Sequence, residues 1–359
     1  MRLALVGDIA LYGRCTTPDY FKEVSDYLSQ DDFVVGNLET PFSVKKKTYG
    51  AKSAYICANA ECVQLLKSLH INAVTLANNH MFDFGKEGYE TTKKLLEEKG
   101  IEWFGTEGKE LSIERDGCKL AFYGFCCYTS NPLQAVTYGN YGVNEFSLQK
   151  SEELLRESVN KGFLPILSIH SGIEHVNYPS RETIDVAHRL AEVAPYIYYG
   201  HHPHVVQGIE VQNNSLIAYS LGNFSFDDVY SSASSAPLVK LSENNRSSVI
   251  LEIEIKENKV VGYKTIPLTI GEEKISIGGI MTETEVRSLT NPILNLPPAE
   301  YKEMRSNAIK DYYGKRKAAR NLSWFIKRLR WRYLMIMVNG RNNNNKYYRK
   351  VVEPLYKKK

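Results

Sequence analysis

Short runs rich in Val, Ile, Leu and Tyr alternate along this chain with longer stretches in which apolar residues return at helical spacing. The first pattern marks buried strands and the second amphipathic helices, so together they predict βα units around a mostly parallel sheet. Strands are predicted at Arg2 to Val6, Phe33 to Val35, Ala73 to Leu76, Lys119 to Phe125, Leu164 to Ile169, Tyr196 to Tyr199 and Leu216 to Tyr219. Helix starts are expected at Thr17 before Pro18, at Asn59, at Ser147 and at Ser180, where a short polar residue precedes a periodic stretch. Val249 to Ile255 and Lys259 to Ile266, separated by Glu257-Asn258, predict a late antiparallel hairpin. The pattern breaks near Pro297-Pro298, which sets a boundary between a body of residues 1–296 and a basic helical extension of residues 297–359.

Composition narrows this picture. A length of 359 residues with 43% hydrophobic content supports one large α/β domain with an appendage. Six cysteines form no CxxC pair, and Cys126-Cys127 sits in an apolar run, so a reducing compartment is expected. No charged leader with an apolar core precedes the first strand, and Tyr333 to Val338 is far shorter than the roughly 20 residues of a membrane span. A cytoplasmic protein, at most peripheral to the inner membrane face, is the expectation. From Lys310 onward 16 Lys and Arg face 2 acidic residues, leaving 29 basic and 39 acidic residues for the rest. An acidic body argues against a nucleic-acid partner.

Chemistry gathers where the predicted strands end, which is where open parallel sheets place their ligand-binding loops. The clusters are Gly7-Asp8, Asn37-Leu38-Glu39, Asn78-Asn79-His80, His170 and His202-Pro203-His204. Taken singly, each has an ordinary structural explanation: Asp8 as a turn residue, Glu39 as a solvated carboxylate, His170 as a satisfied core histidine. In His202-Pro203-His204, alternation in an extended segment would put both imidazoles on one side, and Gly200 would permit close backbone approach. Carboxylates, an amide and several imidazoles together suit a pair of Mn, Fe or Zn ions, whereas calcium asks for oxygen almost throughout. Ser43 to Ala58 has no clear period and is expected to fold as a loop over this site. Tyr196 to Tyr199 is expected to be sheet core, and Asn342 to Asn345 a loop or frayed linker.

The ordered set Val6-Gly7-Asp8, Gly36 to Thr40, Ala77 to His80 with Asp83 and Gly85, His170 to Glu174, Gly200 to Val205, and Ser220 to Phe224 resembles the CapA (PGA_cap, poly-γ-glutamate capsule) family of the calcineurin-like metallophosphoesterase superfamily. The resemblance covers roughly Met1 to Pro267. It implies a four-layer α/β sandwich with two divalent metal ions. In that pattern Asp8 holds one metal, Glu39 bridges, Asn79, His170 and His202 hold the other, and His204 returns to the first. His80 then sits near the leaving group, and Asp83 and Glu174 join it as catalytic candidates. The chain departs from the wider pattern at Ala10, where an imidazole is usual, at Glu39, which replaces an Asp, and at Glu174-His175, where many relatives have Glu-Tyr. Asp83 or Glu174 is the candidate to compensate for the lost imidazole.

Three functions are compatible with these features: a metal-dependent phosphoester hydrolase or transfer enzyme of capsule or exopolymer assembly, a non-catalytic polymer-handling scaffold that keeps the fold, and an amide hydrolase trimming a γ-linked polymer. Leu322 to Val338 alternates apolar and basic residues at helical spacing with Trp324 and Trp331. That segment suits either docking on the body or an anionic membrane surface. The partners expected are a phosphorylated or polymeric substrate, and such a membrane or a capsule assembly complex through the basic tail.

Overall fold

The computed structural model describes residues 1–43, 47–231, 234–279, 281–318 and 331–357. In chain order the strands are β1 (Arg2–Ile9), β2 (Phe33–Leu38), β3 (Ala73–Thr75), β4 (Glu102–Phe104), β5 (Leu111–Arg115), β6 (Cys118–Cys126), β7 (Ala135–Val136), β8 (Val143–Asn144) and β9 (Leu164–His170). There follow β10 (Ile197–His201), β11 (Ile209–Gln212), β12 (Ser215–Ala218), β13 (Asn223–Ser225), β14 (Val229–Ser231), β15 (Ser234–Val239), β16 (Ser247–Lys256), β17 (Lys259–Ile270) and β18 (Ile275–Ile277). The helices used below are α1 (Lys22–Leu28), α2 (Val63–Ser68), α3 (Gly85–Glu98), α4 (Leu148–Asn160), α5 (Arg181–Val193), α6 (Glu243–Arg246), α7 (Glu283–Asn295), α8 (Pro298–Ala318) and α9 (Trp331–Tyr347).

Two sheets carry the body. One runs β18-β17-β16-β1-β2-β3-β4, with β13 beside the end of β1, and the other β11-β12-β10-β9-β6-β5. The inner strands are parallel, and the expected hairpin of β16 and β17 extends the first sheet antiparallel. All seven predicted strands are present.

Side-chain alternation explains the layering. In β1, Leu3 and Leu5 point between the sheets with Phe122, Ile166 and Tyr199. Ala4 and Val6 point the other way, to Val24 of α1 and Leu66 of α2. On the far face of the second sheet, Tyr123, Leu167 and Tyr198 pack with Leu155 of α4 and Leu190 of α5. Strands buried on both faces read as unbroken apolar runs, and the result is helix, sheet, sheet, helix. The Tyr196 to Tyr199 run is core as expected, and the Tyr199 hydroxyl donates across the sheets to the carbonyls of Val6 and Val35.

The predicted caps at Ser147 and Ser180 accept backbone N–H groups from Lys150 and Thr183, while Asn59 precedes a short 3-10 turn without a side-chain cap. After the expected break at Pro297, α8 docks through Tyr301, which is 1% exposed and donates to the carbonyl of Pro179. One expectation fails here. Asn342 to Asn345 is helical within α9, because Asn343 is buried and donates to Asn131 Oδ1 at 2.6 Å, so tertiary contact overrides weak helix propensity. Leu322, Trp324 and the rest of the amphipathic stretch before Trp331 lie outside the described residues. No helix among the described residues is long and apolar enough to cross a membrane.

Candidate metal centre

The register of the parallel strands brings the clusters together. Asp8 in β1 pairs with Asn37 in β2 on one side and Asn223 in β13 on the other, while His170 in β9 pairs with His201 in β10. Two glycines let the backbones close up: a Cβ on Gly7 would overlap the carbonyl of Gly222, and one on Gly200 that of Tyr219.

Asp8, Glu39 and His170 are fully buried, and one ligand atom from each lies within 4.8 Å of the other two. Glu174, His202 and His204 form a second such group. The two groups adjoin: His204 Nε2 is 3.9 Å from Glu39 Oε2 and its Nδ1 3.4 Å from Asp8 Oδ2, and the rings of His170 and His202 are 4.8 Å apart. Asn79 Oδ1 lies 2.9 Å from His170 Nε2. All six residues assigned to metal by the resemblance therefore share one buried pocket. His170 faces both sides, with Nε2 2.9 Å from Asn79 Oδ1 and Nδ1 3.6 Å from Glu39 Oε1.

Neighbouring amides hold this arrangement. Asn37 donates to Asp8 Oδ1 at 2.8 Å and receives Asn78 Nδ2 at 3.2 Å, while Asn78 Oδ1 accepts the backbone N–H groups of His80 and Met81. Asp83 does not face the ligand group. Its carboxylate takes Lys52 Nζ at 2.6 Å, His80 Nδ1 at 2.7 Å and the Ile56 N–H at 3.0 Å. Of the two carboxylates expected to compensate for Ala10, only Glu174 places an oxygen among the ligand atoms. Ala10 itself is buried in an apolar cluster with Phe226 and Leu241.

The histidine run is not extended, contrary to the reading by alternation. Strand β10 ends at His201, and His202 and His204 adopt φ values of 94° and 57°. The chain turns, and a turn rather than strand alternation brings the His202 and His204 rings together beside Glu174, with His204 also reaching Asp8 and Glu39. Two residues of the site escaped the sequence reading. His201, the last residue of β10, places Nδ1 3.0 Å from Asp8 Oδ1. Lys52 comes from the unpatterned 47–58 loop, which covers the site as expected.

The donor set fits divalent cations. Glu39 Oε2 and His202 Nδ1 are buried with no hydrogen-bond partner among the described residues, and orphaned buried polar atoms of this kind are costly. Burial, then the charges of Asp8 and Glu174, push the Glu39 carboxyl well above its usual range. Burial drives His170 well below the usual imidazole range and His202 down to about 4, so both rings are neutral, the form that binds metal. Burial opposes ionisation of Asp8, but His201 and then His204 outweigh it and hold the group below its usual value. Glu174 is pulled down to about 2, burial being outweighed by His202 and His204.

The model of the family described as "Bacterial capsule synthesis protein PGA_cap" matches residues 2–228. The chain belongs to this family. Among curated relatives, the capsule biosynthesis protein CapA of Bacillus anthracis is 28% identical over 279 residues, covering 70% of this chain and 66% of that protein. The PGA biosynthesis protein CapA of Bacillus subtilis is 26% identical over 281 residues, covering 75% of this chain and 70% of that protein. Among solved structures, the NAD nucleotidase of Haemophilus influenzae is similar with a TM-score of 0.45 and 12% identity, covering 86% of this chain and 60% of that one. The PGA_cap match contains every candidate ligand and ends before α6, so α6 to α9 stand outside it.

Proposed function

We propose that this protein is a metal-dependent phosphoester hydrolase, or a closely related transfer enzyme, that acts on a phosphorylated or polymeric substrate in capsule or exopolymer assembly. The observation that carries the reading is the buried convergence of Asp8, Glu39, Asn79, His170, His202 and His204, with Glu39 Oε2 unpartnered among the described residues. These six side chains, with Glu174, are the ones that would hold two divalent ions of the Mn, Fe or Zn kind. Such a pair supplies a hydroxide nucleophile at neutral pH and charge neutralisation at the phosphoryl oxygens.

The protein's own contribution lies around it. Asp83 fixes His80 by its Nδ1, which leaves Nε2 as the nitrogen that would pass a proton to a departing alkoxide when the ring is in its doubly protonated form. Glu174 lies beside His202 and His204, with ligand atoms of all three within 4.8 Å of one another. Apolar Ile56, Phe226 and Leu241 line the cleft next to His80 and His204 and limit water there. The basic tail is proposed to meet an anionic membrane surface or a capsule assembly complex. Exposed Trp331 and Met337, 75% and 73% accessible, support the membrane version.

The test is metal content per chain, then hydrolysis of phosphoesters, for wild type, Glu39→Ala and His202→Ala. Two bound ions and hydrolysis in the wild type, both reduced in the variants with folding intact, are expected. Identical rates in all three would sink the proposal. A second reading, a scaffold without catalysis, draws on the buried alanine at position 10 and is favoured if metal binds and no ester is cleaved.

A further inference from the structure

Lys52 is 7% exposed, and its ammonium has two oxygen acceptors. Nζ donates to Asp83 Oδ1 at 2.6 Å and to the carbonyl of Asn79 at 2.7 Å, and stands 3.0 Å from His80 Nδ1. It therefore grips the Asn79–His80 segment from behind, where a candidate ligand is joined to the candidate proton donor. The loop that delivers it is held in turn. The Tyr55 hydroxyl accepts the Lys52 N–H at 3.1 Å and donates to the Gly50 carbonyl at 2.7 Å, and the Ile56 N–H closes on Asp83 Oδ2.

The last member of this chain of contacts comes from α9. Arg332 donates to the carbonyl of Lys52 through Nε at 3.1 Å and also through Nη2, and its guanidinium lies 5.0 Å over the Tyr55 ring. A forked donor on one carbonyl combined with a ring beneath it fixes the loop in position and orientation. A second contact from the same extension reaches the other side of the centre: the Tyr312 ring of α8 lies 5.1 Å from that of His175, next to Glu174. Both contacts arise outside the residues that match the family.

We propose that Lys52 is a positioning residue for the Asn79–His80 segment and that Arg332 locks it there, which makes the C-terminal helices a working part of the centre. The positioning role rests on the hydrolase reading above; the lock does not. A lysine that merely neutralised Asp83 would affect stability and leave turnover unchanged once the protein is folded.

Amide hydrogen exchange on the full-length chain reads the lock without any activity. In Arg332→Ala, peptides covering 47–58 should exchange about 10-fold faster, with β1 and β9 unchanged, because the local opening free energy of the loop falls; Arg332→Lys should recover part of the protection. With manganese and p-nitrophenyl phosphate, Lys52→Met should lower kcat about 10-fold with KM and bound metal unchanged, and Lys52→Arg should restore part of it. Unchanged exchange in Arg332→Ala overturns the lock. A Lys52→Met kcat equal to wild type, or one that falls in step with metal content, overturns the positioning role. A wild type that hydrolyses no ester refutes the hydrolase reading and the positioning role with it, while exchange still decides the lock.

Discussion

Glu39→Gln tests the centre through stability and needs no substrate. The side chain is fully buried, and its ligand oxygen lies within 4.8 Å of one on Asp8. At that separation two unit negative charges repel by about 3 kcal/mol in an effective dielectric of about 20. Without metal the native state either bears this repulsion or protonates Glu39, whose carboxyl stands well above its ordinary value of 4.5. A raised carboxylate penalises folding only above its unfolded value, and the penalty grows as pH rises towards the folded one. The metal-free variant should therefore exceed the metal-free wild type by about 2 kcal/mol near pH 8, and match it near pH 4.5. Added ions reverse the order. At a free ion concentration about 100 times Kd the wild type gains about 2.7 kcal/mol, and the variant, lacking a ligand charge, gains little. Urea unfolding followed by circular dichroism, with chelator and with manganese, measures all four states. A metal-free variant less stable than wild type, or one that gains as much from manganese, would refute the reasoning.

Three further outcomes are expected. Asp31 has both carboxylate oxygens buried without a partner among the described residues, and burial followed by Glu252 pushes it up to about 6; the group is half-buried, so Asp31→Asn should stabilise the fold by only about 1 kcal/mol above pH 6 and by nothing below about pH 4, and equal shifts at both pH values in urea unfolding would count against this. Gly200→Ala forces a Cβ onto the carbonyl of Tyr219 beneath the histidine turn, and should lower stability by about 3 kcal/mol with loss of bound metal; a wild-type Tm would contradict it. The full chain should sediment with anionic vesicles and not neutral ones, release at high salt, and bind less well as Trp331→Ala combined with Met337→Glu; equal binding to both vesicle types would remove the membrane proposal.

The seven predicted strands were legible because each is apolar and buried on both faces, whereas their order and their division between two sheets were not. Strands β4, β5 and β11 were missed, being short or half-exposed. The clusters that hold Asp8, Glu39, Asn79, His170, His202 and His204 were legible for a related reason, since polar residues at the ends of apolar runs stand out; the choice of ligand within each cluster came from the resemblance. His201 was not legible, because it belongs to β10 itself and directly precedes the His202-Pro203-His204 run that drew the reading. Lys52 was beyond reach, since its role depends on a loop without periodicity meeting Asp83, 31 positions away. Asn343 was misjudged because weak helix propensity says nothing of a partner at Asn131.

The turn at His202 and His204 also decides which substitution is informative. Non-glycine residues at positive φ carry strain of about 1 to 3 kcal/mol each and persist only where their surroundings impose it. Here Asp8 Oδ2 accepts the His202 N–H at 3.2 Å, the carbonyl of Pro203 accepts the His175 N–H at 2.7 Å, and that of His204 accepts Asn245 Nδ2 at 2.9 Å. Asp8 is thus both a candidate ligand and one of the groups that impose the turn, so replacing it removes a ligand and releases two more. Among the described residues the Glu39 carboxylate accepts one long 3.4 Å contact, from Asn37, which a glutamine oxygen can keep. Loss of metal from Glu39→Gln therefore reports on coordination, whereas the same loss from an Asp8 variant would follow equally from a collapsed turn.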